Sequence, residues 1–203
     1  MIITPKVLAL FLKHEGLNQP GKVPPLDSSG ITIGYGYDLG QVKGDQFAKD
    51  WKGVLPTGHF QRLRTVLGLK GILARQAATG MRDIVIRKED ALPVLSRTLL
   101  RYEAMTLKAF PGLEAYSADV QGAVLSLVYN RGAGMGTGHP LDGRQEMRDL
   151  QAAIARKASR DELASIFEGM AAIWQDMGAD GLIARRFEEA ALIREAEDVG
   201  LAA

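Results

Sequence analysis

The sequence predicts a mainly α-helical fold with a small β-element near the N-terminus. Past residue 40, most segments carry apolar residues at helical spacing, with capping residues at their starts and glycine or proline between them. Residues 31–37 differ, because β-branched and aromatic residues favour a strand there. At 203 residues the chain can bury a sizeable core, either as a single domain over 1–203 or as two small lobes.

The first helix is expected to begin at Thr4-Pro5, since threonine is a good N-cap and proline fits the first turn. It should end near His14, before Gly16. Glycines and prolines then predict a loop over residues 16–30, ahead of the strand. Later helices are predicted over residues 45–52, 57–67, 70–79, 90–110, 117–130, 145–157, 159–171 and 180–197.

One of these helices should lie at the centre of the core. Residues 121–129 are nearly all apolar or small, and a helix that is apolar around most of its circumference is a buried one. The segment ends in a polar tip, Asn130-Arg131, before a glycine stop at Gly132. The glycine-rich residues 132–143 are expected to form a long loop.

Composition excludes several classes of function. A formal net charge of +1 provides no field that would draw the chain to nucleic acid or to a membrane surface. Without cysteine there is no disulfide, thiolate metal ligand or thiol nucleophile. His59 and His139 match no ligand spacing, so we expect no metal and no cofactor. The two adjacent arginines, Arg185 and Arg186, could contact a phosphate or an anionic substrate. The favoured expectation is that one forms a salt bridge with a nearby glutamate and the other is solvated.

The apolar run at residues 7–12 is the only candidate for a targeting or membrane segment. It is too short to span a membrane, and a charged stretch follows it without a cleavage site. We therefore expect a protein that is made in the cytoplasm without a signal peptide and has no membrane span. We also expect it to be a monomer.

Four polar residues around the β-element are candidates for chemistry. Glu15 should end the first helix, and a carboxyl that is partly removed from water can hold its proton and protonate a glycosidic oxygen. Asp27 and Asp38 flank the hydroxyl of Thr32 on the two sides of the predicted strand. Two carboxyl groups with a water held between them are what hydrolysis of a glycosidic bond requires.

Each candidate also has a commoner structural role. A glutamate at a helix end is usually solvated, although the helix dipole does not favour an acidic residue there. Asp27 and Asp38 both suit turns, in which an aspartate bonds to its own backbone, and for Asp27 this is the favoured interpretation. Thr32 suits a strand by β-propensity alone.

Three longer motifs follow one another along the chain. They are Glu15-Gly16 with Thr32-Ile33-Gly34-Tyr35-Gly36, then Val128-Tyr129-Asn130-Arg131-Gly132, and finally Gly181-Leu182-Ile183-Ala184-Arg185-Arg186-Phe187-Glu188-Glu189. Together, and in this order, they resemble the phage-type lysozymes, the muramidase family of many endolysins. The resemblance extends from Glu15 to about Leu192.

This resemblance implies a lysozyme-like α+β fold of two lobes. A smaller N-terminal lobe would cover about 15–85, and a helical lobe would be formed by about 1–14 and 86–203. The cleft between the lobes would bind a peptidoglycan glycan strand.

The resemblance also implies roles for four residues that would bind substrate. The rings of Tyr35 or Tyr37 would stack on a sugar. Asn130 and Arg131, at the tip of the core helix, would line the cleft.

Two positions are candidates for the second catalytic carboxylate. The commonest family pattern has an aspartate or cysteine six positions before the threonine, where this sequence has Leu26, and Asp27 is one position later. The continuation Tyr37-Asp38-Leu39-Gly40 is instead similar to the pesticin-like branch, in which an aspartate follows the threonine. Asp38 is therefore favoured, with Asp27 as the alternative.

The implied activity is that of a lysozyme-type glycoside hydrolase, which cleaves the β-1,4 bond between N-acetylmuramic acid and N-acetylglucosamine. Glu15 would be the general acid, and Asp38 with Thr32 would position the attacking water. The alternatives are a non-catalytic wall-binding module of the same fold and a hydrolase of chitin or chitosan. The site of action would be the wall in the periplasm, reached by holin-type release or dedicated secretion, as an endolysin, an antibacterial effector or a bacteriocin.

Overall fold

The computed structural model describes residues 1–22, 29–139, 142–175 and 177–197, and these are mainly helical with one small antiparallel sheet, as the sequence predicts. In chain order the elements are α1 (Pro5–Glu15), β1 (Thr32–Ile33), β2 (Tyr37–Asp38), α2 (Gly44–Trp51), α3 (Thr57–Arg64), α4 (Gly71–Ala78), α5 (Lys88–Ala109), α6 (Ala118–Arg131), α7 (Gln145–Ala155), α8 (Arg160–Met170) and α9 (Asp180–Arg194).

The helix positions agree closely with the sequence-based ranges, and local capping accounts for some of the helix starts. The Ser159 hydroxyl, for example, accepts a hydrogen bond from Glu162 N at 3.2 Å and caps α8, as its capping-box sequence predicts.

The β-element differs from the prediction. Residues 31–37 do not form one strand but a hairpin, in which β1 and β2 pair on either side of Gly34-Tyr35-Gly36. The chain can reverse there because Gly34 and Gly36 adopt left-handed backbone angles, with φ of 55° and 74°. The β-branched and aromatic residues therefore indicated extended structure correctly, but Gly34 and Gly36 form the turn between two short strands.

The chain divides into two compact units, which are described separately below. Unit A comprises Met1–His14 and the residues from Arg101 onward, and unit B comprises Glu15–Leu100. The second boundary falls inside α5, since the first half of that helix belongs to unit B, where Arg97 donates a hydrogen bond to the carbonyl of Asp50 at 2.6 Å. The lobe bounds expected from the sequence stay a prediction.

The core of unit B is an aromatic cluster behind the hairpin. The rings of Phe47 and Phe60 stack with their centroids 5.1 Å apart, and Tyr37 meets Trp51 edge-on at 5.7 Å. The Tyr37 hydroxyl donates to the buried carboxylate of Asp50 at 2.7 Å. This cluster anchors β2 against α2 and so determines the position of the hairpin.

The core of unit A is built around α6, whose described side chains from Gly122 to Val128 are all buried. Gly122 is required for close helix packing, because a Cβ atom there would lie 2.2 Å from a methyl carbon of Val7 on α1. The prediction of a central core helix is thereby confirmed.

A buried ionic cluster joins α6 to α9 in unit A. Arg185 and Arg186 are 3% and 0% exposed, and both contact the fully buried carboxylate of Glu189. Ser126 on α6 donates to Glu189 at 2.5 Å and receives bonds from Arg185. The expectation that one of the two arginines would be solvated is thus wrong, because α9 turns both toward the core.

Candidate functional site

The hairpin makes Thr32 and Asp38 direct cross-strand partners. Side chains of facing residues lie on the same side of a sheet, with Cβ atoms roughly 4.5–5.5 Å apart. The adjacent pair is hydrogen-bonded, from Leu39 N to Ile31 O at 2.8 Å, so Thr32 and Asp38 occupy the alternate kind of position, where facing side chains approach more closely. Both residues are only partly buried. A hydroxyl and a carboxylate are thereby presented together at the protein surface.

One oxygen of Asp38 serves the backbone. Its Oδ1 accepts hydrogen bonds from Gly30 N at 3.0 Å and Gly40 N at 2.7 Å. The two glycines cross in close contact, since a Cβ on Gly30 would lie 2.4 Å from Gly40 N. Asp38 therefore clamps the two chain segments that enter and leave the hairpin, and the clamp needs glycine at both positions.

The other oxygen of Asp38 is not committed in this way. Within the described ranges, neither Asp38 Oδ2 nor the hydroxyl oxygen of Thr32 takes part in a hydrogen bond. A cross-strand hydroxyl and an uncommitted carboxylate oxygen can together accept and donate bonds to one water molecule. This pair is the part of the hairpin that can do chemistry.

Glu15 is linked to the hairpin through Asn18. The Asn18 amide nitrogen donates to the carbonyl of Glu15 at 2.8 Å and to the carbonyl of Gly34 at 3.2 Å. Asn18 also forms a two-bond backbone bridge with Gly34, at 2.8 Å and 3.0 Å. The end of α1 and the hairpin turn are consequently tied together within unit B, and Glu15 itself is partly buried.

Asp27, the alternative second carboxylate, lies outside the described residues. The chain is described again from Ser29, whose carbonyl accepts a hydrogen bond from Gly71 N at 3.0 Å. The preference for Asp38 over Asp27 therefore stays a prediction.

The two tyrosines expected to stack on a sugar belong to the core. Tyr35 and Tyr37 are 7% and 6% exposed, and Tyr37 is enclosed by the aromatic cluster of unit B. Both rings are therefore largely shielded from solvent, Tyr37 packs in the core of unit B, and stacking on a sugar stays a prediction.

Asn130 and Arg131 belong to unit A. The Arg131 guanidinium donates to the carbonyl of Gly143 at 2.9 Å and lies over the ring of Trp174, 5.2 Å from its centroid. The Oδ1 atom of Asn130 is buried and has no hydrogen-bond partner in the described chain. The polar tip of the core helix is therefore bonded to Gly143 and packed against Trp174.

His14, next to Glu15 in sequence, faces a different partner. Its Nε2 lies 3.0 Å from a carboxylate oxygen of Glu188 on α9, and Lys13 binds the other oxygen at 2.8 Å. Burial lowers the pKa of His14, while Glu188 raises it and Arg185 and Lys13 lower it further. The His14 side chain thus stabilises unit A. This agrees with the fact that adjacent residues of a helix point in different directions, so that His14 and Glu15 have different surroundings.

Sequence reasoning missed three residues that the structure brings into play. Asn18 looked like an ordinary loop residue, although an asparagine just after a helix-ending glycine is a signal for side-chain-to-backbone bonding. Arg144 and Trp174 carried no local signal: Trp174 packs against the Arg131 guanidinium, and the Nη1 atom of Arg144 is buried without a hydrogen-bond partner in the described chain.

Comparison with known proteins assigns no function, so the geometry of the site is the main guide to what the protein does. No protein-family model matches the chain, and no curated protein matches it in sequence. Among the described residues, no three His, Asp or Glu side chains are grouped as metal ligands. No helix in the same ranges is both long and apolar enough to cross a membrane.

Proposed function

We propose that this protein is a muramidase, a glycoside hydrolase that cleaves the β-1,4 bond between N-acetylmuramic acid and N-acetylglucosamine in peptidoglycan. The observation that carries the proposal is the cross-strand pair Thr32 and Asp38, with one carboxylate oxygen uncommitted. The link from Glu15 through Asn18 to the turn of the same hairpin supports it. The fold is proposed to be lysozyme-like, as the three sequence motifs suggest.

In the proposed reaction Glu15 is the general acid. It donates its proton to the glycosidic oxygen as the bond from that oxygen to the anomeric carbon breaks. Asp38 Oδ2 accepts a proton from the attacking water, and the Thr32 hydroxyl fixes the position of that water. The new bond joins the water oxygen to the anomeric carbon, so that each carboxyl group ends with the opposite protonation state.

The clamp makes Asp38 suited to this role. Because Oδ1 is held by two backbone N–H groups, the carboxylate cannot rotate freely, and Oδ2 keeps a constant direction. A catalytic group that is already oriented avoids the entropic cost of ordering it during the reaction. The same residue then serves both the fold and the chemistry.

Loss of turbidity of Gram-negative cells with a permeabilised outer membrane tests the proposal. Wild-type protein should lyse the cells, and Glu15→Gln should be at least ~10²-fold slower, because the amide cannot donate the proton. Glu89→Gln, an exposed glutamate of unit B, is the matched control and should retain full activity. Lysis by Glu15→Gln at the wild-type rate would remove Glu15 from the mechanism.

Product analysis separates the alternatives. A muramidase releases soluble fragments of purified peptidoglycan with N-acetylmuramic acid at the new reducing end. A chitin or chitosan hydrolase would instead depolymerise those purified polymers. A wall-binding module without catalysis would sediment with peptidoglycan and release nothing.

A further inference from the structure

The Arg131 guanidinium at the tip of the core helix is almost enclosed. Its side chain is only 9% exposed, and its Nη1 atom is buried without a hydrogen-bond partner in the described chain. The nearest acidic atom is Glu146 Oε2, at 4.0 Å, which is too long for a hydrogen bond. The ring of Trp174 lies under the guanidinium. A buried cation is thus held on two sides, and one of its donors is unused.

Arg144 adds a second guanidinium with the same deficiency. Its Nη1 atom is also buried and without a partner among the described residues, as is Glu146 Oε2. Arg131 binds the carbonyl of Gly143, the residue directly before Arg144. Burial lowers the pKa of Arg131, Arg144 lowers it further, and Glu146 opposes both. The side chains of Arg131, Arg144 and Glu146 therefore carry net positive charge together, and Glu146 offsets only part of it.

The backbone that carries Arg144 is well anchored. Asp142 Oδ1 accepts a hydrogen bond from Arg144 N at 2.9 Å, and Arg148 binds both oxygens of Asp142 at 3.0 Å and 2.9 Å. The Arg148 guanidinium holds the pKa of Asp142 well below its usual range. Asp142 and Arg148 satisfy each other's hydrogen-bonding groups, whereas Arg131 and Arg144 each have a buried Nη1 donor without a partner in the described part of the chain.

The geometry points to a binding site for a carboxylate group at Arg131 and Arg144, with Glu146 as an internal substitute that the ligand displaces. Planar guanidinium donors match the two oxygens of a carboxylate. Glu146 stands in the first turn of α7 and is 31% exposed, so its side chain can turn toward solvent. The incoming carboxylate would then take the unused donors on both arginines.

The carboxylate ligand can come from two sources, which a binding experiment distinguishes. The carboxylate can belong to a small organic acid or to a peptide of the kind attached to peptidoglycan. Calorimetric titration with acetate represents the first, and titration with N-acetyl-D-alanine represents the second. N-acetyl-D-alaninamide is the uncharged control. Binding is measured without hydrolysis, so its result is independent of the proposed muramidase activity, which Glu15→Gln tests separately.

We expect the carboxylates to bind and the amide to fail. Equal binding of acetate and N-acetyl-D-alanine would identify a small acid, and tighter binding of N-acetyl-D-alanine would identify a peptide. Fluorescence of Trp174 should change on binding, because the ring contacts Arg131. Arg144→Gln should weaken binding by about tenfold or more, as expected when a hydrogen bond to a charged group is lost.

Glu146→Gln provides the sharpest test, because the expected change is a gain in carboxylate affinity and not a loss. Removing the internal competitor should strengthen carboxylate binding by roughly three- to tenfold. A purely structural role for Glu146 predicts no gain. Arg156→Gln, an exposed arginine of the same unit, is the control and should bind like wild type. Binding of the amide as tightly as the acids, or unchanged binding in both Arg144→Gln and Glu146→Gln, would overturn the assignment.

Discussion

Replacing Asp38 with asparagine should remove most of the proposed muramidase activity and leave the fold in place. The asparagine side-chain oxygen can accept the bonds that Asp38 Oδ1 now accepts from Gly30 N and Gly40 N, at 3.0 Å and 2.7 Å. Its amide nitrogen then takes the position of Oδ2, where it cannot accept a proton from water. The substitution therefore separates the clamp from the chemistry.

Asp38→Ala is the matched variant that removes both functions. Gly30 and Gly40 are buried, so water cannot readily replace the lost acceptor. A hydrogen bond to an ionised acceptor contributes about 1.5–3 kcal/mol and a neutral one about 0.5–1.5 kcal/mol. With two bonds lost, Asp38→Ala should lower the free energy of unfolding by about 3–6 kcal/mol. Asp38→Asn keeps both bonds in their weaker neutral form, so it should lower the free energy of unfolding by the difference, about 2–3 kcal/mol.

Urea unfolding and the turbidity assay together measure both effects. We expect Asp38→Asn to remain folded and to lose roughly 10²–10⁴-fold in rate, the usual contribution of a general base. Asp27→Asn should cost less activity than Asp38→Asn. If Asp38→Asn lyses cells normally and Asp27→Asn does not, Asp38 is a structural clamp only and the catalytic assignment to it is refuted.

Three further predictions concern stereochemistry, stability and pH. The proposed reaction should invert the anomeric carbon, since Asp38 and Thr32 are proposed to hold the attacking water; nuclear magnetic resonance of the first product should show the α-anomer, and initial β-anomer would establish retention. Glu189→Ala should lower the free energy of unfolding by about 3–5 kcal/mol in urea titrations, because Arg185 and Arg186 would lose their shared counter-ion; a loss below about 1 kcal/mol would contradict this. The pKa of His14 is lowered by burial, so its folded form binds protons less readily than its unfolded form. Wild-type stability should therefore fall relative to His14→Gln as the pH drops below about 6.5, the unfolded value, and parallel pH curves for the two proteins would refute this.

Local sequence patterns were sufficient for the helices. Helix α6 was predictable because its apolar and small residues cover most of its circumference, and α8 because Ser159 and Glu162 stand at capping-box spacing. These features depend on residues within one or two turns of each other, so no knowledge of the fold is needed to see them.

The hairpin shows where local patterns become ambiguous. Residues 31–37 have the composition of a strand, and glycine inside a strand is compatible with either a bulge or a turn. The choice between them depends on partners elsewhere in unit B, since Asn18 bonds to Gly34 and Tyr37 packs against α2. The register that pairs Thr32 with Asp38 follows from that choice.

The sequence by itself determined the helical class of the protein, the place of its β-element and the residues Glu15, Thr32 and Asp38 as candidates for hydrolysis. Only the tertiary structure decided which oxygen of Asp38 is committed to the backbone, that Asn18 links Glu15 to the hairpin, and that Arg131 meets the segment carrying Arg144. Periodicity and capping act between residues close in the chain, whereas burial and charge pairing depend on residues that only folding brings together.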